Sequence, residues 1–292
     1  MIKAGSVGSN PNGATKKKAI SSVALSRLLD DIGNAVFCLN TIIVGLDAVE
    51  RGHKKPASLN ISWDPGDEKT AARKSRKFIL DAVIPRAAGS FKSYIAAVAS
   101  LPRFAQLAQS WHGSNNKSGS DPSIAEKVAD LAGIIFSGGG GEGDENYLTI
   151  STILLLHWRN RITHKSSASL NKDQLKILMD SSIEISGKYC GLDVKQLVDD
   201  FESQSPSLKD VSSLIAMTIN LARRFDRHIY QCNCADDVRA WISHYELDSK
   251  IAKVRGETTP AKFEDSVRRM FQTYAPQLEE PFFEFLFDPS SV

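Results

Sequence analysis

Residues 147–165 read YLTISTILLLHWRNRITHK, and this stretch decides the fold. When it is turned at about 100° per residue, the rotation of an α-helix, one broad stripe forms from Tyr147, Ser151, Leu154, Leu155, Trp158 and Ile162. Such a stripe is typical of a helix that packs one side into a core. The stretch therefore predicts a long helix over about residues 145–165.

The opposite side of this helix is unusual for a protein surface. It carries Ile153, Leu156, His157, Asn160 and His164, with Arg159 and Arg161 on its two flanks. A helix on the surface of a monomer does not normally present Ile and Leu beside Asn and two His. We therefore expect this second side to be covered as well, by another helix or by a second subunit.

Helical spacing of apolar residues continues through most of the chain. It predicts further helices at about 19–50, 68–99, 124–135, 172–189, 193–203, 207–230, 235–247 and 260–274. Pro85 falls inside the second of these and predicts a bend. Only NISW at 60–63, within a surface excursion over 56–66, is β-like. The predicted fold class is therefore all-α, a helical bundle.

The chain is expected to have three parts. Residues 1–18 are rich in Gly, Ser, Asn and Lys, which predicts a flexible N-terminal segment. Residues 19–230 form the main helical domain, and residues 231–292 are expected to be a C-terminal helical extension packed on the same body. A Gly-rich loop at 137–144 is expected to be a hinge, with Asp144 able to cap the next helix.

Composition excludes several classes of protein. With 42% hydrophobic and 24% charged residues over 292 positions, the chain is not collagen-like, a coiled-coil rod or wholly disordered. Four scattered cysteines indicate a reducing compartment. The N-terminal residues lack a signal-peptide core, and no apolar run approaches the roughly 18 residues of a membrane span. We expect a soluble, cytoplasmic protein.

The charge is unevenly distributed, although the net charge is only +2. Residues 1–165 hold 21 basic and 14 acidic side chains, a net of +7, whereas residues 166–292 hold 15 and 20, a net of −5. The positive half of the chain could face a polyanion such as RNA.

Arg159, Asn160 and His164 form a chemically specific group at the end of the long helix. The spacing of four residues places Asn160 and His164 side by side. Histidine takes and returns a proton near neutral pH, arginine stabilises charge that develops on a phosphate, and asparagine can orient either partner. These three residue types together are suited to chemistry at a phosphate.

The string RNRITH at 159–164 resembles the Arg-x4-His motif of the HEPN superfamily, small α-helical domains found in ribonucleases of toxin–antitoxin, anti-phage and CRISPR systems. The residue after the arginine is typically polar in that family, most often Asn, and here it is Asn160. The motif also ends a long amphipathic helix, and AMTINLARRFD at 216–226 resembles the closing helix of some HEPN subfamilies. The resemblance implies a bundle of HEPN type.

The resemblance also implies an activity: a metal-independent endoribonuclease without a cofactor, in which two motifs meet in one cleft of a homodimer. Arg159 would stabilise the scissile phosphate, Asn160 would position the phosphate or the histidine, and His164 would transfer a proton at the ribose 2′-OH. The cleaved RNA would carry 2′,3′-cyclic phosphate ends. A role as a toxin or anti-phage effector, with an antitoxin or defence-system partner, is further implied.

Other residues receive roles from the same interpretation. The dimer interface is predicted to include Ile153, Leu156 and His157. RNA contacts are predicted for Arg161, Lys165, Arg73, Lys74, Arg76 and Lys77. Alternatively, Arg161 could be an ordinary solvated charge, and the four basic residues of 73–77 could form a solvated helix face. Some HEPN toxins carry, two residues after the histidine, a tyrosine that a partner nucleotidyltransferase modifies, and here that position is Ser166.

Metal binding is not expected. His228, Cys232 and Cys234 offer three potential ligands, but Cys-x-Cys is awkward for structural zinc and no fourth ligand is near in the sequence. Two other functions stay open. One is a HEPN-like module that binds RNA or a nucleotide without cleaving it. The other is a helical adaptor in which the motif is accidental and His164 only stabilises the dipole at the C-terminal end of its helix.

Overall fold

The structure is a computed structural model that describes residues 21–112, 122–137, 143–229, 235–274 and 280–287. All regular secondary structure in these ranges is helical, which confirms the all-α prediction. The β-like piece predicted at 60–63 is wrong, because these residues form no strand. The predicted flexible segment 1–18 and most of the Gly-rich hinge lie outside the described residues.

The helices follow one another with short connections. Their bounds are α1 Val23–Glu50, α2 Glu68–Ala99, a 3₁₀ turn Pro102–Phe104, α3 Ala105–His112, α4 Ile124–Phe136, α5 Glu145–His164, α6 Lys172–Asp180, α7 Ser182–Lys188, α8 Val194–Glu202, α9 Leu208–His228, α10 Ala235–His244, α11 Asp248–Glu257, α12 Pro260–Tyr274 and α13 Glu280–Phe287. The helix predicted over 172–189 is two helices, because Ser181, with φ −89° and ψ 4°, leaves the helical conformation between α6 and α7.

Local sequence signals explain several of these helix starts. Ser123, Asn171 and Ser207 each accept a hydrogen bond from the backbone three residues later, and the side chain at that later position bonds back, which forms a capping box. The capping box at Ser123 confirms the predicted start of α4. Pro85 lies inside α2 without ending it.

Helix α5 lies at the centre of the bundle. It packs against α9, α2, α4 and α6, and Leu154, Leu155 and Trp158 on its apolar stripe are fully buried. Ile153 and Leu156, on the other side, are only 3% and 1% exposed. The second side of α5 is thus covered by helices of the same chain, so the predicted dimer contact through these two residues is corrected.

Contacts between side chains define one end of the bundle. Arg161 near the end of α5 pairs with Glu202 at the end of α8, and Lys77 in α2 donates a hydrogen bond to the carbonyl of Gln204 just after α8. Arg76, next to Lys77, pairs with Glu50 at the end of α1. The C-terminal ends of α1, α5 and α8 and the N-terminal part of α2 therefore meet at one end, which we call the motif end.

The opposite end of the bundle is defined in the same way. Asp144, which precedes α5, pairs with Arg224 near the end of α9, and Arg103 in the 3₁₀ turn donates to the carbonyl of His228. Helix α10 packs on that 3₁₀ turn and on α13. The C-terminal helices are thus attached at the end of the bundle away from the motif.

Helix α1 is apolar along much of its length. Among the described residues it is the one helix long and apolar enough to cross a membrane by length and composition, although no apolar run of that length was expected. Its inner side packs along α2, with Ile32 and Leu39 each 1% exposed. Its outer side leaves Phe37 and Val44 72% and 71% exposed.

Candidate functional site

The last turn of α5 brings the three motif side chains into direct contact. One guanidinium nitrogen of Arg159, Nη1, donates to Oδ1 of Asn160 at 2.8 Å and lies 2.9 Å from Nε2 of His164. Arg159 and Asn160 are half-buried, and His164 is exposed. When Nε2 accepts from Arg159, the neutral ring carries its proton on Nδ1. The group is therefore connected internally and open to solvent at the histidine.

The backbone that carries this group ends its helix sharply. Lys165 adopts a left-handed conformation, with φ 51° and ψ 34°, and its N–H bonds to the carbonyl of Arg161 at 3.2 Å. The N–H of Ser166 reaches the carbonyl of Asn160 at 3.4 Å, and the hydroxyl of Thr163 donates to the carbonyl of Arg159 at 2.8 Å. The N–H groups of Lys165 and Ser166 thus turn back onto carbonyls of the last two turns and close the C-terminal end of α5.

Comparison with known proteins does not identify a relative. No protein-family model, no curated protein and no solved structure matches the chain.

Arg161 has a structural role that the sequence did not reveal. Its Nε donates to the carbonyl of Ala168 and its Nη1 to the carbonyl of Phe201, at 3.1 and 3.0 Å. Both terminal nitrogens contact the carboxylate of Glu202 at 3.1–3.2 Å, and the guanidinium carbon lies 3.7 Å from the ring centre of Phe201. The side chain is only 8% exposed. The predicted RNA contact for Arg161 is corrected: it anchors the loop after α5 to α8.

The basic residues of α2 divide into two kinds. Arg73 and Lys74 are exposed. Arg76 instead pairs with Glu50 and, at 4.0 Å, with Asp47, so its predicted RNA contact is corrected as well. Lys77 is already bonded to Gln204 at 2.7 Å and lies 3.5 Å from Asp81. Lys165 is exposed directly after the motif. Arg73, Lys74 and Lys165 are thus the side chains best placed for a polyanion at the motif end.

His157 lies one turn before Arg161 and is half-buried. Its Nδ1 is buried and has no hydrogen-bond partner. Burial, followed by the charge of Arg161, lowers the pKa of His157 below its ordinary value. His157 is therefore a neutral, poorly solvated ring beside the motif, and its predicted place in a dimer interface stays a prediction.

Asp144 does not cap α5 as predicted. It occupies the N-cap position, but its side chain makes no hydrogen bond to the helix backbone. Its Oδ2 instead lies 3.2 Å from Nζ of Lys188 and 3.1 Å from Nη2 of Arg224. Because the ion pairs take the carboxylate away from the helix, the predicted capping role is wrong.

A polar cavity that sequence reasoning missed surrounds this carboxylate. It has a volume of about 390 Å³ and is lined by Asp144, Lys188, Tyr189, Asn220, Arg223, Arg224 and Arg227. The last four come from α9 at positions i, i+3, i+4 and i+7, so they share one side of that helix. This spacing of one asparagine and three arginines was the available sequence signal.

No group of three or more potential metal ligands lies together among the described residues. The potential ligands Cys232 and Cys234 lie outside the residues that the structure describes.

Proposed function

We propose that the chain is an endoribonuclease of HEPN type that cleaves RNA without a metal ion. The observation that carries the proposal is the shared contact of Arg159 with Asn160 and His164 at the exposed end of α5. A guanidinium held beside an imidazole can bind a phosphate oxygen while the imidazole reaches the neighbouring ribose. The all-α setting and the resemblance of the motif to HEPN ribonucleases support the same function.

The proposed reaction transfers the phosphate within the RNA. When a phosphate oxygen replaces Nε2 of His164 as the partner of Arg159, Nε2 can take the proton of a ribose 2′-OH. The 2′-oxygen then forms a bond to phosphorus, and the bond from phosphorus to the 5′-oxygen breaks. The leaving 5′-oxygen takes a proton from the second copy of His164 or from solvent. The guanidinium of Arg159 stabilises the charge on the phosphate, and Asn160 keeps that guanidinium in position. The product carries a 2′,3′-cyclic phosphate.

The motif end also supports RNA as the substrate. Arg73 and Lys74 extend from the N-terminal part of α2, which meets the C-terminal end of α5 through the segment after α8. Lys165 adds a third exposed cation. Cations beside the motif would attract the RNA backbone without reading its sequence.

A homodimer remains part of the proposal, but it needs a surface other than Ile153 and Leu156. Phe37 and Val44 on α1 are seven residues apart and lie on the same outer side of the helix, where both are largely exposed. Exposed apolar patches of this kind commonly mark protein contacts. We place the contact with a second copy on this side of α1. In the cell, the proposed enzyme is a cytoplasmic toxin or defence effector, held inactive by a partner protein.

The decisive experiment compares His164→Ala and Arg159→Ala with the unchanged chain on single-stranded RNA in EDTA. We expect cleavage to fall by at least about 100-fold in each variant, with unchanged melting temperatures. The products of the unchanged chain should carry cyclic phosphate ends. Lys172→Ala, an exposed charge at the start of α6, is the matched control.

Each other outcome points to a different function. RNA binding that survives His164→Ala, with no cleavage by the unchanged chain, would indicate a binding module. Neither binding nor cleavage would indicate an adaptor. Cleavage that stops in EDTA would indicate a metal-dependent nuclease and would overturn the proposal.

A further inference from the structure

The cavity at the end of the bundle opposite the motif is strongly cationic. Among the described residues that line it, Lys188, Arg223, Arg224 and Arg227 carry positive charge and Asp144 is the one carboxylate. Arg223 and Arg227 are exposed at its mouth, and Arg224 is 14% exposed and fixed by its ion pair with Asp144. Its volume of about 390 Å³ lies in the range of small-molecule sites. A phosphate group is the natural partner of several guanidinium groups on one helix side.

Asp144 supplies a second and different recognition element. Its side chain is only 8% exposed. Oδ2 bonds to Lys188 and Arg224, whereas Oδ1 is buried and has no hydrogen-bond partner. A buried carboxylate oxygen without a partner carries a free-energy cost, because it has lost its hydration without gaining a hydrogen bond. A ligand that donates a hydroxyl or amine hydrogen to Oδ1 would remove this cost.

Neighbouring groups hold the cavity in place. Asn220 donates to the hydroxyl of Tyr189 at 3.0 Å, and Lys188 bonds to Glu184 at 2.8 Å. The hydrogen bond with Glu184 raises the pKa of Lys188, so this side chain stays cationic. Burial raises the pKa of Tyr189, so its hydroxyl stays neutral. The wall of the cavity is therefore formed before a ligand binds.

We infer that this cavity is a binding site for a small phosphorylated ligand that also carries hydroxyl groups, such as a sugar phosphate or a mononucleotide. The phosphate contacts Arg223, Arg227 and Lys188, and a hydroxyl donates to Oδ1 of Asp144. The site is separate from the proposed ribonuclease motif, because the 20 residues of α5 span about 30 Å between Asp144 and His164. The inference does not depend on the proposed function.

The first test is calorimetric titration of the full chain with inorganic phosphate, ribose 5-phosphate, the four nucleoside 5′-monophosphates and adenosine. At least one hydroxyl-bearing phosphate should bind ten or more times more tightly than inorganic phosphate, and adenosine should bind more weakly still. Arg223→Ala with Arg227→Ala should reduce this binding at least tenfold. The matched control, Lys253→Ala with Lys262→Ala, removes two exposed cations from α11 and α12 and should leave the affinity unchanged.

Asp144→Asn should change two measured quantities in opposite directions. Removing the negative charge should tighten binding of inorganic phosphate, because a repulsion is lost, and should reduce the advantage of the hydroxyl-bearing phosphate over it. The ratio of the two affinities is internal to one variant, so a loss of stability does not affect it. If this variant does not fold, the double arginine variant still decides.

Three results would overturn the inference. They are no binding of any probe at millimolar concentration, binding that the double arginine variant leaves unchanged, and binding of 5′-phosphorylated RNA that the double arginine variant abolishes but that every mononucleotide fails to compete. The last result would assign the cavity to RNA.

Discussion

Arg159 contacts His164 across five positions of α5, with 2.9 Å between Nη1 and Nε2. The same nitrogen lies 2.8 Å from Oδ1 of Asn160. One arginine nitrogen therefore connects the amide and the imidazole. Because Oδ1 is neutral, it can hold the guanidinium without cancelling its charge. Asn160 thus positions the guanidinium of Arg159, and it can do so without neutralising that group because its side-chain amide is uncharged.

Asn160→Asp is the sharpest test of this arrangement. An aspartate would pair with Arg159 and neutralise the guanidinium that should bind the phosphate. We expect RNA cleavage to fall by about 100-fold or more, and by less in Asn160→Ala, which only loosens the guanidinium. Cleavage rates under single-turnover conditions measure the difference. If the aspartate variant cleaved as fast as the alanine variant, the amide would have no role in preserving the charge of Arg159.

The dimer proposal gives a prediction about mass. Phe37→Ser with Val44→Ser should reduce the solution mass from twice the 32.0 kDa of the chain to a single chain, and cleavage should fall with it. Light scattering after size-exclusion chromatography measures the mass. Ile42→Ser, on another side of α1 at 40% exposure, is the control and should stay dimeric. A double variant that remains a dimer would exclude this surface, and binding of the unchanged chain to lipid vesicles would give α1 a different partner.

Periodicity was sufficient to predict α5 and most of the longer helices, because their apolar residues recur at helical spacing and several begin at capping residues that act locally. It did not predict the short helices α3 and α11. The meeting of Arg159, Asn160 and His164 was also within reach of the sequence, because all three lie on one helix. What the sequence could not decide was which partner covers the second side of α5. That choice depends on how α2 and α9, which are distant in the chain, and the neighbouring α4 pack against α5.

The roles of single charged residues were harder to predict for the same reason. Arg161 and Arg159 differ by two positions, yet one pairs with Glu202 and the other faces the motif. Asp144 had every local feature of a capping residue, but Arg224, eighty positions later, binds its carboxylate. Long-range ion pairs decide both cases, and helical spacing contains no information about them.

Arg161 should prove structural. Arg161→Ala removes the hydrogen bonds to the carbonyls of Phe201 and Ala168 and the ion pair with Glu202, all made by a side chain that is 8% exposed, so we expect a loss of about 2–4 kcal/mol in the free energy of unfolding. Glu202→Gln should lose about 1 kcal/mol or less, since that carboxylate is 56% exposed. Urea unfolding measures both. Unchanged stability with weakened RNA binding would restore the RNA contact that the sequence suggested.

Arg73 and Lys74 should act on RNA affinity alone. Their double alanine variant should weaken binding of every RNA sequence to a similar degree and reduce the slope of log affinity against log salt by about 1.4, or ~0.7 for each lost phosphate contact. The cleavage rate at saturating RNA should not change. Lys253→Ala with Lys262→Ala removes two exposed cations from α11 and α12 and is the control. If the two double variants weakened RNA binding equally, the affinity would depend on the net charge of the chain and not on the position of Arg73 and Lys74.

His157 predicts how stability depends on pH. Its pKa in the folded chain lies below the ordinary 6.5, chiefly because of burial. As the pH falls below about 6.5, the unfolded chain therefore gains a proton that the folded chain does not bind, and the folded state loses stability. His157→Leu removes this difference and also removes the Nδ1 that is buried without a partner. Urea unfolding at pH 7.5 and 5.5 should show a smaller loss in the variant, whereas between pH 7.5 and 8.5 the two proteins should change alike. An equal loss at pH 5.5 would place the acid sensitivity in other groups.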